Sequence, residues 1–171
     1  MKNRFLASLC LGFCLAFSLN TSAQPAGFNK LYHAYKGEEG VVALRIPGCL
    51  IRLAGNIGDL DGPERHLLRC LRSVTVLSID ERQLYPGLNF ADELKLDAMN
   101  ENYRLMMEVH DEQEDVIVAA REHRGRITDL IVVVGGSDNV LVHIKGRLRH
   151  DMLGSLANVA GIDKFPFTSE I

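Results

Sequence analysis

Hydrophobic residues recur with two different periods along this chain, and the change of period divides it into elements. From Tyr103 to Leu148 the period is two. Tyr103, Leu105, Met107 and Val109 alternate with Arg104, Met106, Glu108 and His110, as a half-buried strand requires. A polar gap from Asp111 to Glu114 precedes a second run around Val116, Ile117 and Val118, which ends at Arg121, Glu122 and His123. Arg124-Gly125 suits a two-residue hairpin, because glycine accepts positive φ. Leu130 to Val134 are consecutive aliphatics, the mark of a strand at the centre of a sheet or covered on both faces. Gly135-Gly136-Ser137-Asp138-Asn139 is the strongest turn signal, and Val140, Val142 and Ile144 then alternate with Leu141, His143 and Lys145. Connections this short force antiparallel pairing, so the segment is a four-stranded meander.

Before the meander the period is mostly helical. Phe28, Leu31, Tyr32 and Tyr35 share one helical face, and Gly37 and Gly40 follow. Val41 to Ile46 reads as a short strand closed by Pro47-Gly48, and Cys49 to Ile57 as a helix interrupted by Gly58-Asp59-Leu60-Asp61-Gly62. Pro63 and Glu64 suit the first turn of the next helix, which carries Leu67, Leu68 and Leu71. Ser73 to Asp80 is β-branched and predicts a strand. After the turn Tyr85-Pro86-Gly87, Asn89 is placed to cap a helix that turns Phe90, Leu94, Ala98 and Met99 to the core. Asp151 is placed to cap a last helix with Met152, Leu153, Leu156, Val159 and Ala160, stopped by Gly161. Six strands, helices between and after them, and no internal repeat predict one α+β domain. Its antiparallel sheet ends in the meander, and its helices pack mainly on one face.

The first residues stand apart. Lys2 and Arg4 precede an apolar run from Phe5 to Leu19, and Thr21-Ser22-Ala23 places small residues where a signal peptidase reads them. The run is shorter than the ~20 residues that span a bilayer. Bulky Leu9 and Phe13 precede Cys10 and Cys14, against a lipid-modification site. The expectation is a signal peptide over residues 1–23, cleaved after Ala23, and a domain over 24–171 with its core at about 28–162 and a short tail from 163 to 171. Export to the periplasm or cell envelope follows from it. Loss of Lys2 and Arg4 takes the net charge from −3 to −5, which argues against nucleic acid as a partner. No later segment is long and apolar enough to remain as a stable membrane span.

Cys49 and Cys70 are then the two remaining cysteines. In an oxidising compartment an even pair invites a disulfide, and the alternative is two thiols that pack as small apolar side chains. No phosphate-binding glycine loop, dinucleotide fingerprint, nucleophile elbow, His-Glu-x-x-His or Cys-x-x-Cys occurs, so no cofactor is implied. Asp59-x-Asp61-Gly62 starts like a calcium loop, but the later acidic ligands do not follow in register. His33, His66, His110, His123, His143 and His150 form no close ligand pair in sequence, although His110 and His123 fall at strand ends that could meet across the sheet. A charged face on the meander, with Arg104, Glu108, Arg121, His143 and Lys145 as members, is a candidate surface for an anionic ligand or simply the solvated side of the sheet. For catalysis the least remote grouping is Ser137, Asp138 and His143.

With its helix ending in YKGEEGV, then ENYRLMMEV leading to EDVIVAARE, RITDLIVVVGGSDNVLVHIKGRL and the closing DMLGSLANV, the chain resembles an exported bacterial family known as domain of unknown function 4252. The likeness runs from about Phe28 to Ile162. It implies an envelope protein, typical of the Bacteroidota, whose genes lie beside those of extracytoplasmic sigma factors and so hint at envelope stress signalling. It carries no catalytic residues over. The two cysteines and the tail Phe165-Pro166-Phe167 depart from the family pattern. The function expected is that of a non-enzymatic binding or regulatory module meeting an envelope protein or a small ligand. The alternative is a small-molecule hydrolase whose site assembles from distant residues.

Overall fold

The computed structural model describes residues 26–57, 62–80, 82–94, 103–112, 114–136 and 138–153. Several expectations fall outside them: the leader at 1–23, Asp59 and Asp61, Ala98 and Met99, Ser137, the closing helix beyond Leu153 and the Phe165-Pro166-Phe167 tail. The described elements are α1 (Ala26–Tyr35), β1 (Val41–Pro47), α2 (Gly48–Ile57), α3 (Gly62–Cys70), β2 (Leu71–Ile79), β3 (Arg104–His110), β4 (Glu114–His123), β5 (Arg126–Gly136) and β6 (Asn139–Leu148). The six strands form one antiparallel sheet in the order β1-β2-β6-β5-β4-β3. The meander is therefore as predicted, and β6 also closes a long-range pairing with β2.

Alternation along the central strands feeds two apolar layers. Leu77, Ile131, Val133 and Leu141 point to a first face, where Phe28, Leu31 and Tyr32 of α1 and Phe90 and Leu94 cover them. Val118, Leu130, Val132 and Ile144 point to a second face, beneath Ile51 of α2 and Leu67 of α3. Leu130 to Val134 thus read as a continuous aliphatic run because both faces of β5 are buried. Two of the described helices share the second face, and α1 lies on the first.

Two local predictions shift. Leu71, expected on a helix, opens β2 directly after Cys70. The chain turns without a loop because Gly146 lets it pass: a Cβ there would lie 2.7 Å from the Cys70 carbonyl oxygen. Strict alternation in β3 breaks at a bulge between Leu105 and Met107, so Leu105 sits opposite Ala119 on the first face and Met107 opposite Val118 on the second. Asp151 lies inside the 3₁₀ turn His150–Met152, and its carboxylate accepts hydrogen bonds from the Arg149 guanidinium at 2.6 and 3.0 Å; the helix it is expected to cap lies beyond the described residues. The predicted turn Arg124-Gly125 is present, with φ of 51° and 70°.

Candidate functional site: a tyrosine cleft at the acidic end

Antiparallel order sends alternate connections to opposite ends of the sheet, and charge follows that division. At one end the connections carry Glu38 and Glu39 before β1, Asp80 after β2, Asp111 and Glu112 between β3 and β4, and Asp138 between β5 and β6. At the other end β1 finishes at Arg45, β2 starts at Arg72, the β4–β5 turn holds Arg124 and Arg126, and β6 runs out through Lys145 and Arg147. A formal charge near neutrality conceals a molecule with an acidic end and a basic end.

The acidic end is built around two asparagines. Asn139, 3 % exposed, accepts a hydrogen bond from the Phe90 backbone N–H at 2.9 Å and donates from Nδ2 to the Leu88 carbonyl at 2.9 Å. Asn89 caps as predicted: its Oδ1 accepts from the Ala91 N–H at 2.9 Å, and its Nδ2 donates to Asp115 at 2.8 Å. This turn rests on Gly135, where a Cβ would fall 1.8 Å from Asn89 Oδ1 and 2.8 Å from the Ala91 nitrogen. The glycine pair of the β5–β6 turn therefore makes room for a neighbouring backbone.

Held by this clamp, the segment 85–93 meets the end of α1 in an open cleft of about 370 Å³. Tyr35 and Tyr85 form one wall, edge to face with ring centroids 5.8 Å apart. Asp92 and Glu93 line it as well, both exposed. Tyr85 is fixed by its hydroxyl, which donates to the Glu39 carbonyl at 2.8 Å. Burial, then the Glu93 carboxylate, then Tyr85 push the Tyr35 hydroxyl above its usual pKa, so at neutral pH it stays protonated and can donate. Tyrosine rings beside two carboxylates favour a cation: ammonium or guanidinium groups bind over tyrosine rings and pair with carboxylates. The cleft contains no nucleophile paired with a base.

The residues that sequence reading had singled out lie elsewhere. Arg121, Asp129 and His143 do converge on the first face, near the basic end. Arg121 Nε and Nη2 donate to Asp129 Oδ2 at 3.1 and 2.7 Å, and His143 Nε2 lies 3.3 Å from Asp129 Oδ1. Burial alone would raise the Asp129 pKa, but hydrogen bonds from His143 and Arg121 outweigh it and hold the carboxyl at about 2. Burial depresses His143, against the pull of Asp129, so the ring is neutral with Nε2–H facing the carboxylate. The ring is 1 % exposed and lies under Phe28, centroid to centroid 4.7 Å. Asp129 and His143 are thus a buried polar insert in the core, reached from its half-exposed edge by Arg121.

The proposed charged face is therefore divided. Lys145 joins the insert's edge, with its pKa lowered by burial first. Arg104 pairs with Ala120, on the opposite face. Glu108 belongs with His110 and Asp115 at the acidic end: His110 Nε2 is 3.0 Å from Glu108, and its Nδ1 is 2.5 Å from Asp115. Asp138 immediately precedes β6 and His143 follows it by five residues, roughly 17 Å at strand spacing, so they share no site. His110 pairs with Asp115 and His123 with Arg126, at opposite ends of β4, so those histidines do not meet. Among the described residues no group of three or more His, Cys, Asp or Glu side chains is placed to hold a metal ion. Cys49, exposed on α2, and Cys70, half-buried at the end of α3, are free thiols in this structure. Sequence reading placed Tyr85-Pro86-Gly87 and Asn89 as local turn and cap, and missed the cleft because Tyr35 reaches it from fifty residues away. Its only signal was aromatic residues beside Asp92 and Glu93.

The family model described as "Domain of unknown function (DUF4252)" matches residues 35–156, a span that begins at the cleft's own Tyr35. No curated protein and no solved structure matches the chain.

Proposed function

This chain belongs to the DUF4252 family, and we propose that it is an exported, non-enzymatic recognition module of the cell envelope that binds a cationic group in the acidic tyrosine cleft. The observation that carries the reading is a contrast of access. Of the two Asp–His pairs, His143–Asp129 is buried under Phe28, and His110–Asp115 has its remaining ring nitrogen on Glu108, whereas the open cleft holds aromatic and carboxylate recognition groups. A hydrolase built on His143 would need a substrate route to that ring, which is 1 % exposed and packed under Phe28 of α1. The ligand class is an amine or a basic peptide segment, drawn to this end by the acids on its connections.

Export rests on the leader pattern at 1–23, and among the described residues no helix is long and apolar enough to cross a membrane. Peptide sequencing of the protein recovered from an envelope fraction should begin at Gln24; a chain retained whole in the cytoplasm would end the envelope reading. For the cleft, the chain has no tryptophan, and two of its four tyrosines, Tyr35 and Tyr85, line the cleft, so its occupancy should register in the tyrosine emission and that part should be lost in Tyr85→Phe. Titration with a lysine-rich peptide should change that emission and saturate. Asp92→Asn with Glu93→Gln should weaken binding roughly tenfold, as for two partly exposed charge pairs. Equal response to an uncharged peptide of the same length would show that the cleft selects no cation.

A further inference from the structure

The first face of the sheet changes from apolar to polar at its basic end. Strand register sets Arg45 of β1 opposite Thr75 of β2, which is itself opposite His143 of β6. One step further out, Ser73 of β2 is opposite Lys145 of β6, Lys145 opposite Asp129 of β5, and Asp129 opposite Arg121 of β4. All of these side chains share one face, because they continue the alternation of Ala43, Leu77, Leu141, Ile131 and Ala119. Ser73 and Thr75 thus form a floor flanked by Arg45 on one neighbouring strand and Lys145 on the other. The two cations are close enough for Arg45 to act on the Lys145 charge, as Arg121 does from the far side.

The charges of this corner do not balance. Asp129 is the only acid in it, and both of its oxygens are taken, Oδ2 by Arg121 and Oδ1 by His143. Among the described residues Lys145, which is half-buried, and Arg45, which is exposed, make no ion pair. Burial first, and then the charges of Arg45 and Arg121, lower the Lys145 pKa against the pull of Asp129. With His143 neutral, three cations against one carboxylate leave a net charge of +2. α1 adds to that field. It runs from Phe28, over His143, to Tyr35 at the cleft, so its positive N-terminal end lies on this side, and no acid stands in its first turn. An ammonium withdrawn from water among like charges destabilises the fold unless an anion shares the space. We propose that Arg45, Lys145 and the Ser73 hydroxyl bind a dianionic phosphoryl group, with Arg121 contributing charge from beyond Asp129. A guanidinium supplies parallel N–H donors, the ammonium a point charge and the hydroxyl a third donor, and a single carboxylate would leave half of the excess charge unmatched. The site shares no residue with the tyrosine cleft, so each can fail without the other.

The test is calorimetric titration of the chain from residue 24 onward, which retains every described residue, with inorganic phosphate and with glycerol phosphate. A chloride buffer of fixed ionic strength at about pH 8 keeps the phosphoryl group doubly ionised. Binding should saturate at one anion per chain, and acetate should compete poorly. Lys145→Met and Arg45→Gln should each weaken binding about tenfold, as for loss of one charge-assisted contact. Arg104→Gln removes the same charge from the opposite face and should bind like the parent. Folding of the variants is read separately. In chloride alone Lys145→Met should have a urea midpoint at or above that of the parent, because it removes a half-buried charge. Saturating phosphate should then raise the parent's midpoint by more than the variant's. Tighter binding of glycerol phosphate would assign the site to phosphate monoesters, and tighter binding of phosphate to the free ion. No saturable binding, full binding by Lys145→Met, an equal loss in Arg104→Gln, or acetate competing on equal terms overturns the proposal.

Discussion

The two ends of the sheet manage charge in opposite ways. At the basic end a carboxylate and a histidine are taken into the core: Asp129 is 4 % exposed and His143 1 %, and each satisfies the other with the help of Arg121. At the acidic end the comparable trio, Glu108, His110 and Asp115, lies on the rim of the sheet, in reach of water. The same residue types therefore have opposite titration behaviour. Burial lowers the His143 pKa, whereas hydrogen bonds to Asp115 and then Glu108 raise that of His110. Position in the layer, and not residue type, decides in which direction each histidine's pKa moves.

The comparison breaks most readily at Asp129. Asp129→Ala leaves His143 and the guanidinium of Arg121 without their shared acceptor and should cost about 3 kcal/mol in urea unfolding. Asp92→Ala at the exposed cleft should stay within about 0.5 kcal/mol. Similar losses at both sites would show that burial is not what separates the two ends.

Next in size is the clamp that shapes the cleft. Asn139→Ala leaves the Phe90 N–H and Leu88 carbonyl without their partner and should cost about 2 kcal/mol. Gly135→Ala should displace Asn89 and cost about 1–3 kcal/mol as an overpacked contact. Both variants should weaken peptide binding at the cleft, and unchanged binding in both would mean that the clamp does not shape it.

Acid should act on the interior first. The Asp129 pKa is about 2 when folded against an ordinary 3.8, so its contribution is complete above 3.8 and is lost as the pH falls toward 2, roughly 2 kcal/mol in all. His143 adds in the same direction at higher pH: its stabilisation is full above 6.5 and declines as the pH falls through its lowered folded value. Asp129→Asn should flatten the lower part of that profile. The smallest effect is at His110, whose raised pKa gives a contribution present below 6.5 and lost as the pH rises through the folded value. His110→Gln should remove that shallow alkaline slope, read from the urea midpoint between pH 5 and 9. A slope of the same sign at His110 and His143 would contradict the contrast between rim and core.

Much of this was legible in local pattern. Alternation and short turns predict β4, β5 and β6, because a strand's two faces and a hairpin's closure are properties of neighbouring residues. Asn89 is legible as a cap for the same reason: its acceptor and the N–H it meets lie two residues apart. The β3 bulge was not legible, since an extra residue is accommodated by the partner strand and leaves little trace in a run as uniformly apolar as Leu105-Met106-Met107. The exposed stripe on α2 was hidden by its own hydrophobicity. Leu50, Ile51, Leu53 and Ile57 all look like core, and only the placement of Ile51 against Leu67 shows which side is left over.

By itself, then, the sequence determined the elements, the antiparallel meander and the family, because each depends on interactions a few residues long. The tertiary structure alone decided that β6 lies between β2 and β5, and with it where distant side chains meet. That placement seals His143 under Phe28, brings Tyr35 to Tyr85 and collects arginines at one end and carboxylates at the other. Periodicity constrains which face a residue occupies. Which other residues share that face is set by the order of strands, and no local period encodes it.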